Sequence, residues 1–468
     1  MEEMDKRTLV AVILALLVLL GSQFLFSKFS PQQPPQEPQK AETKTEPVKK
    51  EEPPLPKATA TSEEIFKTQD ITVTTGLYTA TFTSKGGTLN KFELKKFKDK
   101  DGTAVSLLQA PGVIPPLGMG EQSDFGLSQV NFAVKGKDLN LKDAQTGTVI
   151  FEYATQQVSI RRTYTFYGDK YKFDLRDEVQ GIPEYWITLG SDFGIHDLKD
   201  DSAPHLGPVV LKDTDRIELD QRKLTEPKVY TGDLKWIAQE DKYFFASLVP
   251  STPVVEARVS KVQDSVIVSF KAKPGVNNVI IYAGPKEYNR LKELNVGLEH
   301  IIDFGFFSII ARPLFWILKF FYSFMGNYGW AIILLTIVTR VPFIPLINKS
   351  QKSMKKMQEI QPKMNELREK YKNDPQRLQK EMMEMYKKHK VNPVGGCLPM
   401  LLQIPVFFAL YKVLMVAIEL RGAPFMLWIT DLSAKDPSYI LPVVMGVTMV
   451  IQQKMTPNPT ADPTQQAM

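Results

Sequence analysis

Residues 328–347 read YGWAIILLTIVTRVPFIPLI, twenty residues whose only charge is Arg340. A helix needs about 20 apolar residues to cross a bilayer, so this run makes the chain a membrane protein, and its flanks set the orientation. Residues 349–390 carry 13 Lys/Arg against 6 Asp/Glu, whereas the later loop 419–437 has two basic residues against three acidic ones. Lys and Arg of short loops stay on the cytoplasmic side. The basic segment is therefore expected inside, and the chain before Tyr328 outside.

Working outward, residues 394–418 and 438–453 are further apolar runs and read as the third and fourth spans. The first is TLVAVILALLVLLGSQFLF (8–26). Its length and the absence of a convincing cleavage site favour an uncleaved signal anchor over residues 1–30, with the amino terminus cytoplasmic; a cleaved signal peptide is the alternative. Residues 31–62 form a tether rich in Pro, Glu and Lys that buries too little to fold. Residues 287–327 are a linker and an aromatic helix. Within them FFSIIARPLFWILKFFYSF (306–324) sets Arg312 and Lys319 seven apart, which suits a helix lying in the membrane interface. A simple extension of the next span is the other reading.

From 63 to 286 the period is two. ITVTTGLYTATFTSKGGTLNKFEL (71–94), VSIRRTYTFYGDKYKFDLRDEV (158–179) and VSKVQDSVIVSFKAKPGVNNVIIYAG (259–284) alternate and turn at Gly, Asp, Asn and Pro. Short strands so spaced indicate a β-sandwich, placed in the periplasm by the charge argument. Residues 349–393 are polar and helical in two segments parted at Asn373-Asp374-Pro375. Asp374 is the expected N-cap and Pro375 the first helical residue, giving a basic helical hairpin. Residues 454–468 begin a polar, cytoplasmic loop.

Across 468 residues the net charge is +6, with one cysteine and four histidines. A disulfide framework and a Cys-rich metal site are excluded; no cofactor or metal is expected, and no nucleic-acid sequence readout. No nucleotide-binding motif suggests ATP-driven transport. His196 and His205, near Asp197, Asp200 and Asp201, are the candidates for acid–base chemistry in a carbohydrate-binding or epimerase-like external domain. Solvated loop residues are the simpler reading, so no catalytic residue is assigned.

A guanidinium in an apolar span costs at least ~2.5–3.5 kcal/mol, so Arg340 is expected to face water or a partner. It lies roughly 18 Å along the helix from Tyr328, in the inner half of the bilayer. Snorkelling to the headgroups is one outcome; a hydrophilic cavity open to the cytoplasm is the other. Thr336, one turn earlier, shares its face, and Gln403 is a second polar residue at membrane depth. Lys412, near the outer end of the third span, is expected to snorkel outward. Met354, Met357, Met364, Met382, Met383 and Met385 either pack the hairpin or offer nascent chains an adaptable apolar surface.

The segments WAIILLTIVTRVPFIPL, KEMMEMYKKHKVNP, VNPVGGCLPMLLQIPVFFALYKVL and IELRGAPFMLWITDLSAKDPSYILPVVMGVTM resemble the core of the YidC/Oxa/Alb membrane insertases, Gram-negative type. The match covers about 300–468; the anchor, tether and β domain agree in order. The resemblance implies a multi-domain membrane protein: an α-helical transmembrane core, a periplasmic all-β supersandwich of galactose-mutarotase type and a cytoplasmic helical hairpin. It implies an inner-membrane insertase and chaperone, not an enzyme, that receives nascent membrane proteins in a positively charged groove. Arg340, Thr336 and Gln403 would be the groove residues, and the hairpin with its methionines would recruit substrate. Membrane lipids and Sec translocon components are the implied partners, and the ribosome is a further candidate. Members of this type carry two more spans beyond the loop at Lys454, which leads to an alternative expectation, a truncated, inactive insertase.

Overall fold

The computed structural model describes residues 67–455 apart from 100, 109–111, 199, 201–202, 222, 264 and 390–397. The expected signal anchor and tether lie outside the described residues.

Alternation builds the β domain, whose strands run from Asp70 to Pro285. Ser159–Tyr167 and Lys172–Gln180 each bury every second residue and pair antiparallel about the turn that follows Tyr167. They lie in a nine-stranded sheet, on which two five-stranded sheets are packed. From the first, Phe82 meets Phe151, Tyr164, Phe166 and Phe173 with ring centroids 4.8–6.5 Å apart. From the second, the Tyr185 hydroxyl accepts from Asn277 Nδ2 at 3.0 Å, and the Val266 carbonyl accepts from Gln239 Nε2 at 2.6 Å. Register puts Asn277 opposite Asp177 and Ile281 opposite Phe173, so both smaller sheets lie on one face of the large one. Gly86 turns the Ser84–Gly87 corner with φ +71°, and a Cβ there would sit 2.6 Å from Ser128 Cα.

One inward position in this core is charged. Ile160, Arg162, Tyr164 and Phe166 share the buried parity of their strand, so Arg162 is fully enclosed. Its Nε and Nη2 donate to Asp177 Oδ1 and Oδ2 (3.0 and 3.3 Å), and Nη1 donates to the carbonyls of Gly86 (3.2 Å) and Leu117 (2.7 Å). Burial works against the guanidinium charge, but Asp177 beside it holds its pKa above the ordinary value.

After a short helix, α1 (Tyr288–Glu293), the chain becomes apolar and helical. Helix α2 (Ser308–Met325) ends at Gly326, φ +65°, and α3 (Tyr328–Arg340) begins afresh behind the N-cap Asn327. The aromatic segment is thus a helix of its own, not an extension of the next. Residues Val341–Phe343 form a 3-10 turn containing Pro342, and α4 (Ile344–Lys370) continues the chain. Asp374 caps α5 (Pro375–Lys388) by accepting from Arg377 N at 3.0 Å, as its residue type at that position dictates. Helices α6 (Leu398–Val416) and α7 (Ile440–Met455) follow. Among the described residues three segments are long and apolar enough to cross a membrane: Ser308–Met325, Tyr328–Lys370 and Pro399–Val416. The first was expected to lie in the interface; α7, expected to span, is shorter at 16 residues. All of α7 is exposed, and most of it is apolar, including Val443, Met445 and Met449.

Ion pairs tie the helical part together and, at one point, to the β domain. Lys412 of α6 reaches Asp303 Oδ2 at 2.9 Å instead of extending free to a headgroup, since a carboxylate stands within reach. Arg421 pairs with Asp99 at 3.3 Å, and Lys319 of α2 with Glu419 at 3.2 Å.

Candidate functional site

Helix α3 has two unlike faces. Tyr328, Ala331 and Leu335 are buried, at the spacing of one helical stripe, and α3 packs on α2, with Tyr328 stacked 3.7 Å from the Tyr322 ring. The opposite stripe, Ile333, Thr336, Ile337 and Arg340, is exposed. The Thr336 hydroxyl donates to the Ile332 carbonyl at 2.9 Å, so its hydrogen bond is met within the helix on the exposed stripe. Arg340 closes the stripe, and among the described residues it makes no ion pair or hydrogen bond. Pro342, which has no N–H to donate, then breaks the helix.

Gln403 is half-buried on α6, two residues before the internal Pro405. Helix α6 packs on α2, as α3 does, through buried Ala409 and Val413 and a Phe307–Phe408 stack at 6.3 Å. Among the described residues no hydrogen bond joins Gln403 to Thr336 or Arg340. The structure thus puts Thr336 and Arg340 on one stripe and Gln403 on a separate helix. Of the six methionines, Met357, Met364, Met382 and Met385 form the hairpin's apolar seam with Ile360 and Tyr386. Met383 is exposed and Met354 half-buried.

The histidines are not the solvated loop residues expected of them. The His196 ring bonds Asp99 Oδ1 at 2.8 Å and the Ser106 carbonyl at 3.0 Å. His205 meets Glu240 Oε1 at 3.0 Å. Glu240 is buried and also holds Arg216 Nη2 at 2.6 Å and Lys286 Nζ at 2.7 Å. Burial pushes its carboxyl up, but Lys286, His205 and Arg216 outweigh that and hold it at about 2. His205, Glu218 and Glu240 bring donor atoms within 4.8 Å of one another, a spacing that would suit a divalent cation. Such a cation would enter against Arg216 and Lys286, which already neutralise the Glu240 carboxylate, so the donor set reads as an ion-pair cluster. Asp201 lies outside the described residues.

Two family matches divide the chain between them: the YidC periplasmic domain over residues 70–317 and the 60Kd inner membrane protein over 320–468. The membrane protein insertase YidC of Syntrophus aciditrophicus is 40% identical, over 99% of this chain and 92% of that one. The chain belongs to the YidC membrane protein insertase family. The YidC protein of Geotalea daltonii is 39% identical with the same coverage, 99% and 92%. A galactose mutarotase-like protein from Lactobacillus casei is similar over 46% of this chain and all of its own, at 10% identity and a TM-score of 0.32, a level that says nothing of sugar chemistry here. As a YidC insertase the chain is an inner-membrane protein that inserts nascent membrane proteins, and it is not an enzyme. The sequence pointed to Arg340 and Thr336 through their position in an apolar run. It gave no sign of the Asp99, Asp303 and Glu240 contacts, whose partners lie tens to hundreds of residues away.

Proposed function

We propose that insertion runs along the exposed stripe of α3. In this reading Thr336 and Arg340, with Gln403 from α6, line a hydrophilic groove open to the cytoplasm. One observation carries it: α3 packs one face on α2 and leaves the other, ending in a guanidinium without a partner among the described residues, uncovered. A charge costs several kcal/mol in hydrocarbon, so water must reach it. The wet stripe then shortens the apolar path for a polar substrate tail, and Arg340 attracts acidic tails. Burial of the substrate's apolar span, at about 25 cal/mol per Å², supplies the driving force.

The charge asymmetry about α3 supports a multi-pass topology, with the hairpin of α4 and α5 and the amino terminus cytoplasmic and the β domain periplasmic. The hairpin recruits nascent chains, with exposed Met383 and half-buried Met354 offering contact and Met357, Met364, Met382 and Met385 letting the seam adapt. Sec translocon components are partners on the membrane side and the ribosome on the hairpin side. The test is insertion of a two-span substrate into proteoliposomes by the Arg340→Ala chain. Substrates with acidic translocated tails should lose about tenfold, and neutral ones under threefold. Equal loss for both, or none, refutes the electrostatic groove.

A further inference from the structure

The loop after α6 is seated on the outer end of α3 by contacts that groove chemistry does not use. Asn327 works in two directions. Its Oδ1 accepts from the N–H groups of Gly329 (2.9 Å) and Trp330 (3.3 Å), capping α3. Its Nδ2 donates to the carbonyls of Pro424 and Phe425, both at 3.2 Å. The Phe425 ring lies so close over Gly329 that a Cβ there would stand 2.0 Å from a ring carbon, and its centroid is 5.6 Å from that of Trp330. Glycine costs helix propensity relative to alanine; here the close approach of Phe425 accounts for it.

The seated loop is itself tied together. Phe425 N donates to the Ile429 carbonyl at 3.0 Å and Leu432 N to that of Ala423 at 3.0 Å. The Asp431 carboxylate accepts from Gly422 N and Ser433 N, and that of Asp436 from Ser438 N and Trp428 Nε1. At its root Arg421 is paired to Asp99 of the β domain. Helix α3 is about 20 Å long, and among the described residues its main lateral packing is on α2. A second fixed point at its outer end sets its rotation and height, and so where Thr336 and Arg340 stand.

We propose that Asn327, Gly329 and Phe425 are positioning residues for insertion: they lock α3 to the loop at residues 421–439 and, through it, to the β domain. The inference rests on α3 being the groove wall. Two variants separate the seat from the helix cap. Asn327→Ser keeps a capping oxygen but loses the amide donor, and Gly329→Ala favours the helix while colliding with Phe425. Hydrogen exchange of residues 328–340 and 421–439 is followed in the full chain in liposomes, beside insertion of a two-span substrate. Both variants should speed exchange at the Phe425, Ile429 and Leu432 amides at least tenfold, leave α3 protected, and slow insertion three- to tenfold for acidic and neutral tails alike. Arg340→Ala should leave loop exchange unchanged. If it also leaves the acidic-to-neutral ratio unchanged, the groove reading falls while the loop result is judged by itself. The Gly329→Ala, Phe425→Ala double variant gives the methyl room and should match Phe425→Ala alone. Unchanged loop exchange, a freed loop with wild-type insertion, exchange rising equally in α3, or a double variant worse than both singles would each overturn the proposal.

Discussion

Arg162 and Arg340 are the same side chain in two settings. In the β domain Arg162 is sealed in, and all its needs are met inside: a carboxylate and two carbonyls surround it. In the helical part the apolar side chains face outward, as on Ile333, Ile337, Phe407 and Met445, and Arg340 stands there without a partner among the described residues. The water-surrounded domain can bury a charge because the same fold supplies the counter-charge. In the proposed groove, the open charge of the membrane part would serve what arrives. A satisfied buried arginine is a matter of stability; under the proposed groove, the open one is a matter of function.

The largest effect should come from breaking the first setting. Arg162→Ala leaves Asp177 buried without its partner and two carbonyls without a donor, and should cost about 3–5 kcal/mol, read as a lowered unfolding midpoint of the β domain. Arg340→Ala, which removes no hydrogen bond or ion pair among the described residues, should shift that midpoint by less than about 0.5 kcal/mol while lowering insertion. Similar stability losses at both positions would break the comparison.

Acid should come next. The Glu240 carboxyl is held at about 2 against an ordinary 4.5, so its contribution is complete above about 4.5 and is lost as the pH falls toward 2. That loss is on the order of 3 kcal/mol. Glu240→Gln should flatten this acid limb of β-domain stability; an unchanged limb would assign the acid sensitivity to other carboxylates.

The smallest effect is expected where α6 meets the segment that leads into α2. The Lys412–Asp303 pair is partly exposed on both sides, so Lys412→Met should cost under about 1 kcal/mol and reduce the salt dependence of the unfolding midpoint. A larger loss would mean that the junction is held more by this pair than by its apolar contacts.

Some of this was legible without coordinates. Alternation located the hairpin about Tyr167, and the Asp374-Pro375 pair located the start of α5, because both signals are local in the chain. Arg162 was legible in part: its parity with Ile160, Tyr164 and Phe166 points it inward, although only Asp177 on the next strand explains how it is tolerated. The separation of α2 from α3 was written in Gly326-Asn327, a stop beside a cap. Phe425 over Gly329 was not legible at all, because nothing in either segment announces the other.

The sequence by itself determined the apolar runs, the period of the β domain, the sign of each loop and the presence of Arg340 in an apolar run. Those follow from hydropathy, periodicity and charge, which are properties of neighbours along the chain. Only the tertiary structure decided that Lys412 has a partner and that the rings of His196 and His205 are hydrogen-bonded to Asp99 and Glu240. It alone decided that Asn327 serves a loop almost a hundred residues away and that Thr336 and Arg340 lie on the face α2 does not cover. Those outcomes depend on which distant groups come within hydrogen-bonding distance, and packing alone sets that.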